Sequence, residues 1–468
     1  MTRTILLATL LAAPALAQDV ALASRTSDTP VAATAPKADS IERPATAADR
    51  KAQLQRPQII QYIRFNDQRG INVFEAPKQE GVPFTGFKLD FGAAFTQQFQ
   101  GLGHANRADS VRTSATVATN ANRLIEVGHG FPNAVANLYL NAQLAKGVRV
   151  AMTSYLSARH HNEAWVKDGY FLIDDSPIDL PVLNRLMSVV SLKAGHFEIN
   201  YGDQHFRRTD NGNAMYNPLV GNLLMDAFTT SVGTEVYARK YGFLAMGGVT
   251  NGEVRGMVLN PGKRAPAFLG KLGWDGQVTP DLRVRLTGSA ISQARSANQT
   301  LYTGSRAGSR YYDMMENSAS TETAQAWSGD VRPDFNEMHA TVINPFVKFR
   351  GAELFGNIET ARGRTAAEQT AESDVREMRQ NAWELTYRLL GDQLYVSGRT
   401  NTAEGRMLAS QTQDVTVKRN QIGAGWFITP TVLLKGEWVN QSYDGFASTD
   451  IRSGGKFKGY VLEGVVSF

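Results

Sequence analysis

Gly455-Lys-Phe-Lys-Gly-Tyr-Val-Leu-Glu-Gly-Val-Val-Ser-Phe468 decides how the rest of the chain is read. In an extended strand successive side chains point to opposite faces. One face then carries Tyr460, Leu462, Gly464, Val466 and Phe468, and the other Gly459, Val461, Glu463, Val465 and Ser467. A carboxylate in mid-strand, turned away from an aromatic and aliphatic row, suits a wall between lipid and water.

The same alternation recurs upstream. Phe87, Leu89, Phe91 and Phe95 oppose Lys88, Asp90 and Thr96; Val148, Val150 and Met152 oppose Arg149 and Thr153; Val232 and Val236 oppose Glu235, Tyr237 and Arg239. Leu282, Val284 and Leu286 oppose Arg283 and Arg285, Leu385 and Leu389 oppose Glu384 and Arg388, and Val432, Leu434 and Trp438 oppose Lys435 and Glu437. Lys146-Gly147, Tyr241-Gly242, Arg350-Gly351, Gly391-Asp392 and Thr429-Pro430 read as tight turns between such runs. Longer polar stretches, at 100–133, 203–225, 295–337, 362–380 and 401–414, separate the hairpins. Short turns at one end and long loops at the other predict an all-β fold, a transmembrane antiparallel β-barrel of about 16 strands spanning 84–468. A barrel has no free edge, so Phe84–Phe99 must pair with Gly455–Phe468. The exception among the short turns, Asp174 to Ser188, is expected to hold a short helix. Five of the six tryptophans (Trp165, Trp274, Trp383, Trp426 and Trp438) fall in the predicted strands, where an interfacial aromatic girdle would place them.

Composition sets the outer limits. The chain has 468 residues and no cysteine, which excludes disulfides and thiolate metal sites. Mean hydropathy is −0.28, and no run reaches the roughly 18–20 apolar residues of a spanning helix. The net charge of +5 is scattered rather than clustered, so no nucleic-acid partner is expected. Residues 1–17, with a basic start, an apolar core and Ala15-Leu-Ala17, read as a secretory signal peptide. Residues 18–83 read as a flexible periplasmic arm whose runs Ile59–Phe65 and Ile71–Glu75 look strand-like; the arm is expected either against the periplasmic mouth or inside the pore.

The terminal Phe468, with Tyr460 and Leu462, resembles the signature read by the assembly machinery of bacterial outer-membrane β-barrels. At Leu192-Lys-Ala-Gly-His-Phe-Glu-Ile-Asn-Tyr-Gly202 the chain resembles the phosphate-selective porin O and P family at Gly195, Phe197 and Gly202, while Asn200-Tyr201 and Glu198 depart from the family's pattern. That resemblance implies a water-filled, homotrimeric porin set among outer-membrane lipid and lipopolysaccharide.

The loop after the fifth predicted strand is the candidate constriction, through His205, Arg207, Arg208 and Asp210. Lys88, Arg149, Arg239, Arg283, Arg285, Arg388, Arg419, Lys435 and Glu437 are the candidate pore lining. Cations outnumber carboxylates on the water-facing rows, which predicts a weak preference for small anions. His160-His161-Asn-Glu163 is a polar loop on this reading, because neighbouring strand positions diverge and converge poorly on one metal. No hydrolase elbow, metalloprotease motif or phosphate-binding loop is present, so neither catalysis nor a metal or other cofactor is expected. Passive diffusion of small hydrophilic solutes is the expected function. The alternatives are a phosphate or oxyanion channel and a structural barrel that anchors a periplasmic partner through residues 18–80.

Overall fold

The computed structural model describes residues 46–468 except 77, 79–82, 115–116, 157–163, 255–257, 304–310 and 319–326. The proposed signal peptide and His160, His161 and Glu163 lie outside the described residues. Sixteen antiparallel strands close into one barrel. In chain order they are β1 Lys88–Ala105, β2 Val135–Ala145, β3 Val148–Leu156, β4 Ala164–Ile173, β5 Val190–Glu198, β6 Thr230–Lys240, β7 Phe243–Thr250 and β8 Ala267–Thr279. There follow β9 Leu282–Gln293, β10 Glu337–Phe349, β11 Ala352–Arg364, β12 Arg376–Leu389, β13 Leu394–Gly405, β14 Val415–Thr429, β15 Val432–Asp444 and β16 Lys456–Ser467. Each pairs with its chain neighbour, and β1 pairs with β16 in the register Ala94↔Ser467 to Ala105↔Lys456. The closure expected from the two terminal strands is therefore present.

Alternation sorts the side chains as the sequence implied. On β16, Leu462, Val466 and Phe468 are exposed outward, whereas Val461, Glu463, Val465 and Ser467 are buried inside. Phe87, Leu89, Phe91, Leu138, Leu286, Leu385 and Ile422 continue the outward apolar belt, and Trp383, Trp426 and Trp438 are exposed on it. No helix among the described residues is long and apolar enough to cross a membrane; the strands form the wall.

The strands run farther than the apolar pattern. β1 reaches Ala105, β13 reaches Gly405 and β12 begins at Arg376, all within stretches expected to be loop. Past the apolar belt the outward positions turn polar while backbone pairing continues, as where Arg362 meets Glu377 across β11 and β12. The tight turns form where expected; Tyr241 and Gly242 both have positive φ (54° and 82°), the conformation a two-residue hairpin turn requires. Between β4 and β5 the long turn holds a helix, Pro181–Met187, started by proline at its first turn.

Gly195, in the stretch that carries the family resemblance, has a steric reason to be glycine. Its φ is +136°, and a Cβ there would lie 2.6 Å from the Gly169 carbonyl oxygen of β4. Gly195→Val is expected to prevent closure between β4 and β5. Loss of the compact, heat-modifiable band on semi-native electrophoresis is the check, and an unchanged band would show that the wall absorbs the clash.

Candidate functional site

Among the described residues, three inward-folded segments shape the barrel interior: one after β5, one between β9 and β10, and one before β1. Residues 199–229 leave β5 through Gly202 (φ +70°) and cross the lumen almost wholly buried. This segment joins no strand of the barrel among the described residues, and wall side chains satisfy much of its backbone. The Lys435 ammonium donates to the Ala214, Asn217 and Leu219 carbonyls at 2.8–2.9 Å. Glu437 accepts from the Val220 and Gly221 amides at 2.7 and 3.2 Å. Arg399 holds the Gly221 carbonyl, Arg419 the Asn222 carbonyl, and Gln380 the Met225 amide. Val220, Leu224 and Met225 then pack on Val417, Val439 and Val461 of the inner wall.

The four candidate constriction residues all lie in this crossing segment, and each is engaged there. Arg207 donates to Glu384 at 2.6 Å and to Asn72. The Arg208 Nε donates to Asp226 at 2.9 Å, and its guanidinium lies 4.1 Å over the Phe228 ring. Asp210 pairs with Lys167. The His205 ring meets Asn200 at 3.0 Å and Glu198 at 3.3 Å. Burial lowers the imidazole pKa from its ordinary value against the opposing pull of Glu198.

The candidate lining residues lie on inward-facing positions, with Lys88, Arg239 and Arg283 half-buried. Most are clamps rather than free charges. Arg149 pairs with Asp174, Arg388 with Glu353, Lys435 with Glu463, and Arg283 with Asp275. Arg285 binds Asp203 and Glu75, Arg239 holds the Ala76 carbonyl, and Glu437 also accepts from Tyr311. Tyr311 and Tyr312, which fall in the long polar stretch 295–337, are both buried inside the barrel, Tyr311 on Glu437 and Tyr312 bonded through its backbone to Gln100.

The third segment precedes the barrel. Helix α1, Ala47–Leu54, is capped by Thr46, and its Arg50 donates to the Phe427 carbonyl at the rim of short turns. The runs Ile59–Phe65 and Ile71–Glu75 form turns, not strands, because their polar groups bond to the barrel rather than to one another. Gln68 bonds to the Pro430 and Asp392 carbonyls, and Ser467 to the Asn66 carbonyl. Arg64 donates to the Phe206 carbonyl and lies 3.5 Å over the Tyr216 ring. Farther in, Asn72 donates to Glu353 at 2.7 Å, and Phe74 packs edge-on to Phe206 and Phe346. Glu75 reaches Lys271 at 2.9 Å and Arg285 at 2.8 Å. Burial alone would raise the Glu75 pKa; Lys271 and Arg285 overcome it and hold the carboxyl at about 2. A depressed carboxyl stabilises fully above its ordinary value, here 4.5, and the contribution is lost as pH falls through about 2. Seating of this segment is therefore expected to be insensitive to pH between neutrality and about 5, a range checked by protection from protease; release near pH 5 would contradict it.

Between these segments and the wall of β2–β6 lies a cavity of about 300 Å³. Its cations are Arg64, Arg149, Lys167, Lys193, Arg208 and Arg239, against the carboxylates Glu75, Asp168, Glu198 and Asp210. Arg149 Nε, Asp168 Oδ1 and Arg239 Nε are buried there without a hydrogen-bond partner among the described residues. Buried polar atoms of this kind call for water or a polar solute. Sequence reading passed over Glu75, Asp168, Asp203 and Lys193, for no local pattern distinguishes them from other polar residues.

No protein-family model and no curated relative matches the chain. Among solved structures, the anion-selective porin from Comamonas acidovorans is similar at 10% identity, over 82% of this chain and 100% of that one, with a TM-score of 0.49. The outer membrane channel DcaP of Acinetobacter baumannii is similar at 9% identity, over 82% and 98%, with a TM-score of 0.45. OmpT of Vibrio cholerae is similar at 9%, over 83% and 100%, with a TM-score of 0.44. None of these likenesses singles out the phosphate-selective porin O and P family. The fold itself, an even-stranded closed barrel with an apolar exterior and a charged interior, resembles bacterial outer-membrane porins generally.

Proposed function

We propose that this barrel is an outer-membrane channel for passive diffusion of small hydrophilic solutes, with a weak preference for anions. The observation that carries the reading is the charged cavity beside β2–β6, bounded by six cations and four carboxylates, with buried polar atoms left for water. An excess of positive charge in a low-dielectric channel concentrates anions. On this reading the exported chain is inserted by the barrel assembly machinery through Tyr460, Leu462 and Phe468. It then sits among lipid and lipopolysaccharide, with a homotrimer as its expected assembly. No residue is assigned a catalytic, metal-binding or cofactor-binding role.

A second reading, a barrel closed at rest, is favoured by the segment at the rim of short turns. Planar-bilayer recording of the purified full chain separates the two. Stepwise conductance with a reversal potential on the anion side of a salt gradient is expected, and Lys193→Gln should move that potential toward the cation side. Silence would favour the closed barrel, and cation preference in the unaltered chain would remove the anion reading. A phosphate-specific channel would instead saturate with inorganic phosphate.

A further inference from the structure

Glu75 occupies a position that a solute's own carboxylate would fit. Its Oε1 receives Lys271 Nζ at 2.9 Å and Asn200 Nδ2 at 3.1 Å, and its Oε2 receives Arg285 Nη2 at 2.8 Å. Both oxygens are thus held by donors fixed on β8, on β9 and at the root of the crossing segment. Such two-oxygen recognition is specific to planar oxyanions, whereas a halide makes a single point contact.

The charges explain why the site needs an anion. Lys271, Arg285 and the neighbouring Arg283 face three carboxylates, Glu75, Asp203 and Asp275, so the cluster is balanced at three charges of each sign. Asp203 belongs to the crossing segment, is fully buried, and also accepts from Thr287 at 2.8 Å. Glu75 arrives on a segment that forms no strand among its described residues. Withdrawing Glu75 alone leaves one unbalanced positive charge in a buried place, which is strongly unfavourable. Replacement by an incoming anion restores the balance. Glu75 and Asn200 both line the cavity, so the exchange takes place where a solute has access.

We infer that Lys271, Arg285 and Asn200 form a carboxylate-binding site, filled at rest by the chain's own Glu75, and that a carboxylate solute competes for it and frees the N-terminal segment from the mouth. The inference deepens the anion-channel reading and in part rests on it. The site recognises a monocarboxylate group, whatever solute carries it.

The absence of cysteine permits a clean test. A single reporter, Ile71→Cys, sits half-buried beside the Met215, Tyr216 and Leu433 cluster, with Ala76→Cys as a second reporter should the first disturb seating. The rate of labelling by a charged maleimide is followed on full-length, detergent-solubilised protein whose heat-modifiable mobility confirms an intact barrel. Sodium acetate is expected to speed labelling severalfold over sodium chloride of equal ionic strength. Glu75→Gln should raise the basal rate about tenfold, the factor carried by each 1.4 kcal/mol of lost pairing. Lys271→Met should remove the acetate response while the barrel stays folded.

Equal acceleration by chloride or by inorganic phosphate would overturn the carboxylate assignment, as would a basal rate indifferent to Glu75→Gln. The readout needs no current. Conductance steps with no acetate effect on labelling would overturn this inference while leaving the channel reading intact. Acetate-driven labelling in a protein silent in bilayers would support the site and overturn the channel.

Discussion

Glu437→Ala is expected to release the tip of the crossing segment and raise single-channel conductance severalfold, with noisier open levels. The carboxylate is buried on β15 and accepts from the Val220 and Gly221 amides, from Gln421 at 3.0 Å and from the Tyr311 hydroxyl. It therefore ties together two inward segments, the one after β5 and the one between β9 and β10. Each buried donor left without an acceptor costs roughly 1–3 kcal/mol. The Val220 and Gly221 amides lose their acceptor together, and Gln421 and Tyr311 lose the carboxylate to which both donate, more than a segment without its own ladder can absorb in place. The wall should survive, because β15 keeps its strand pairing to β14 and β16. Bilayer recording together with unfolding on semi-native electrophoresis checks both halves. Glu437→Gln keeps one carbonyl acceptor and should show a smaller rise. Unchanged conductance in Glu437→Ala would mean that the segment does not limit flow.

This two-segment tie shows where sequence reading stops. The wall was legible because alternation is local: Val461 and Glu463 declare one face of β16, and Leu462 the other, without knowledge of any partner. The pairing of the first and last strands followed from the need to remove a free edge. The stretch after the fifth strand, read as the candidate constriction, crosses the lumen. What occupies the lumen was not legible, because it depends on contacts between residues far apart in the chain, such as Glu75 with Arg285 or Glu437 with Val220. One sign was present. Val461 and Val465 stand on the row assigned to water, and an open aqueous channel has no use for them; in the structure they pack against inward-folded residues. The count of water-facing cations likewise identified the inward side of Arg283, Arg388 and Lys435 but not the fact that each is already bound.

The second large effect concerns a charge that sequence alone offered as a free selectivity element. Arg208→Met is expected to destabilise the crossing segment by about 3–5 kcal/mol, the usual consequence of removing one partner of a buried ion pair. Arg208 holds Asp226 through two nitrogens and faces Asp210 at 3.7 Å, with its own side chain fully buried. Without it, Asp226 loses its bidentate partner and keeps the Asn222 amide, and Lys167 is left to pair with both Asp210 and Glu198. Two readouts should move together. The temperature at which the compact band unfolds should fall, and the reversal potential should shift toward cations, because uncompensated carboxylate now borders the cavity. Arg208→Met combined with Asp226→Leu removes both charges and should recover most of the stability, since paired removal leaves no buried ion unmatched. It should recover the anion preference as well, because the cavity edge regains its original balance. A surface-like role for Arg208 predicts instead that the single substitution is nearly neutral in both measurements and that the double variant gains nothing over it.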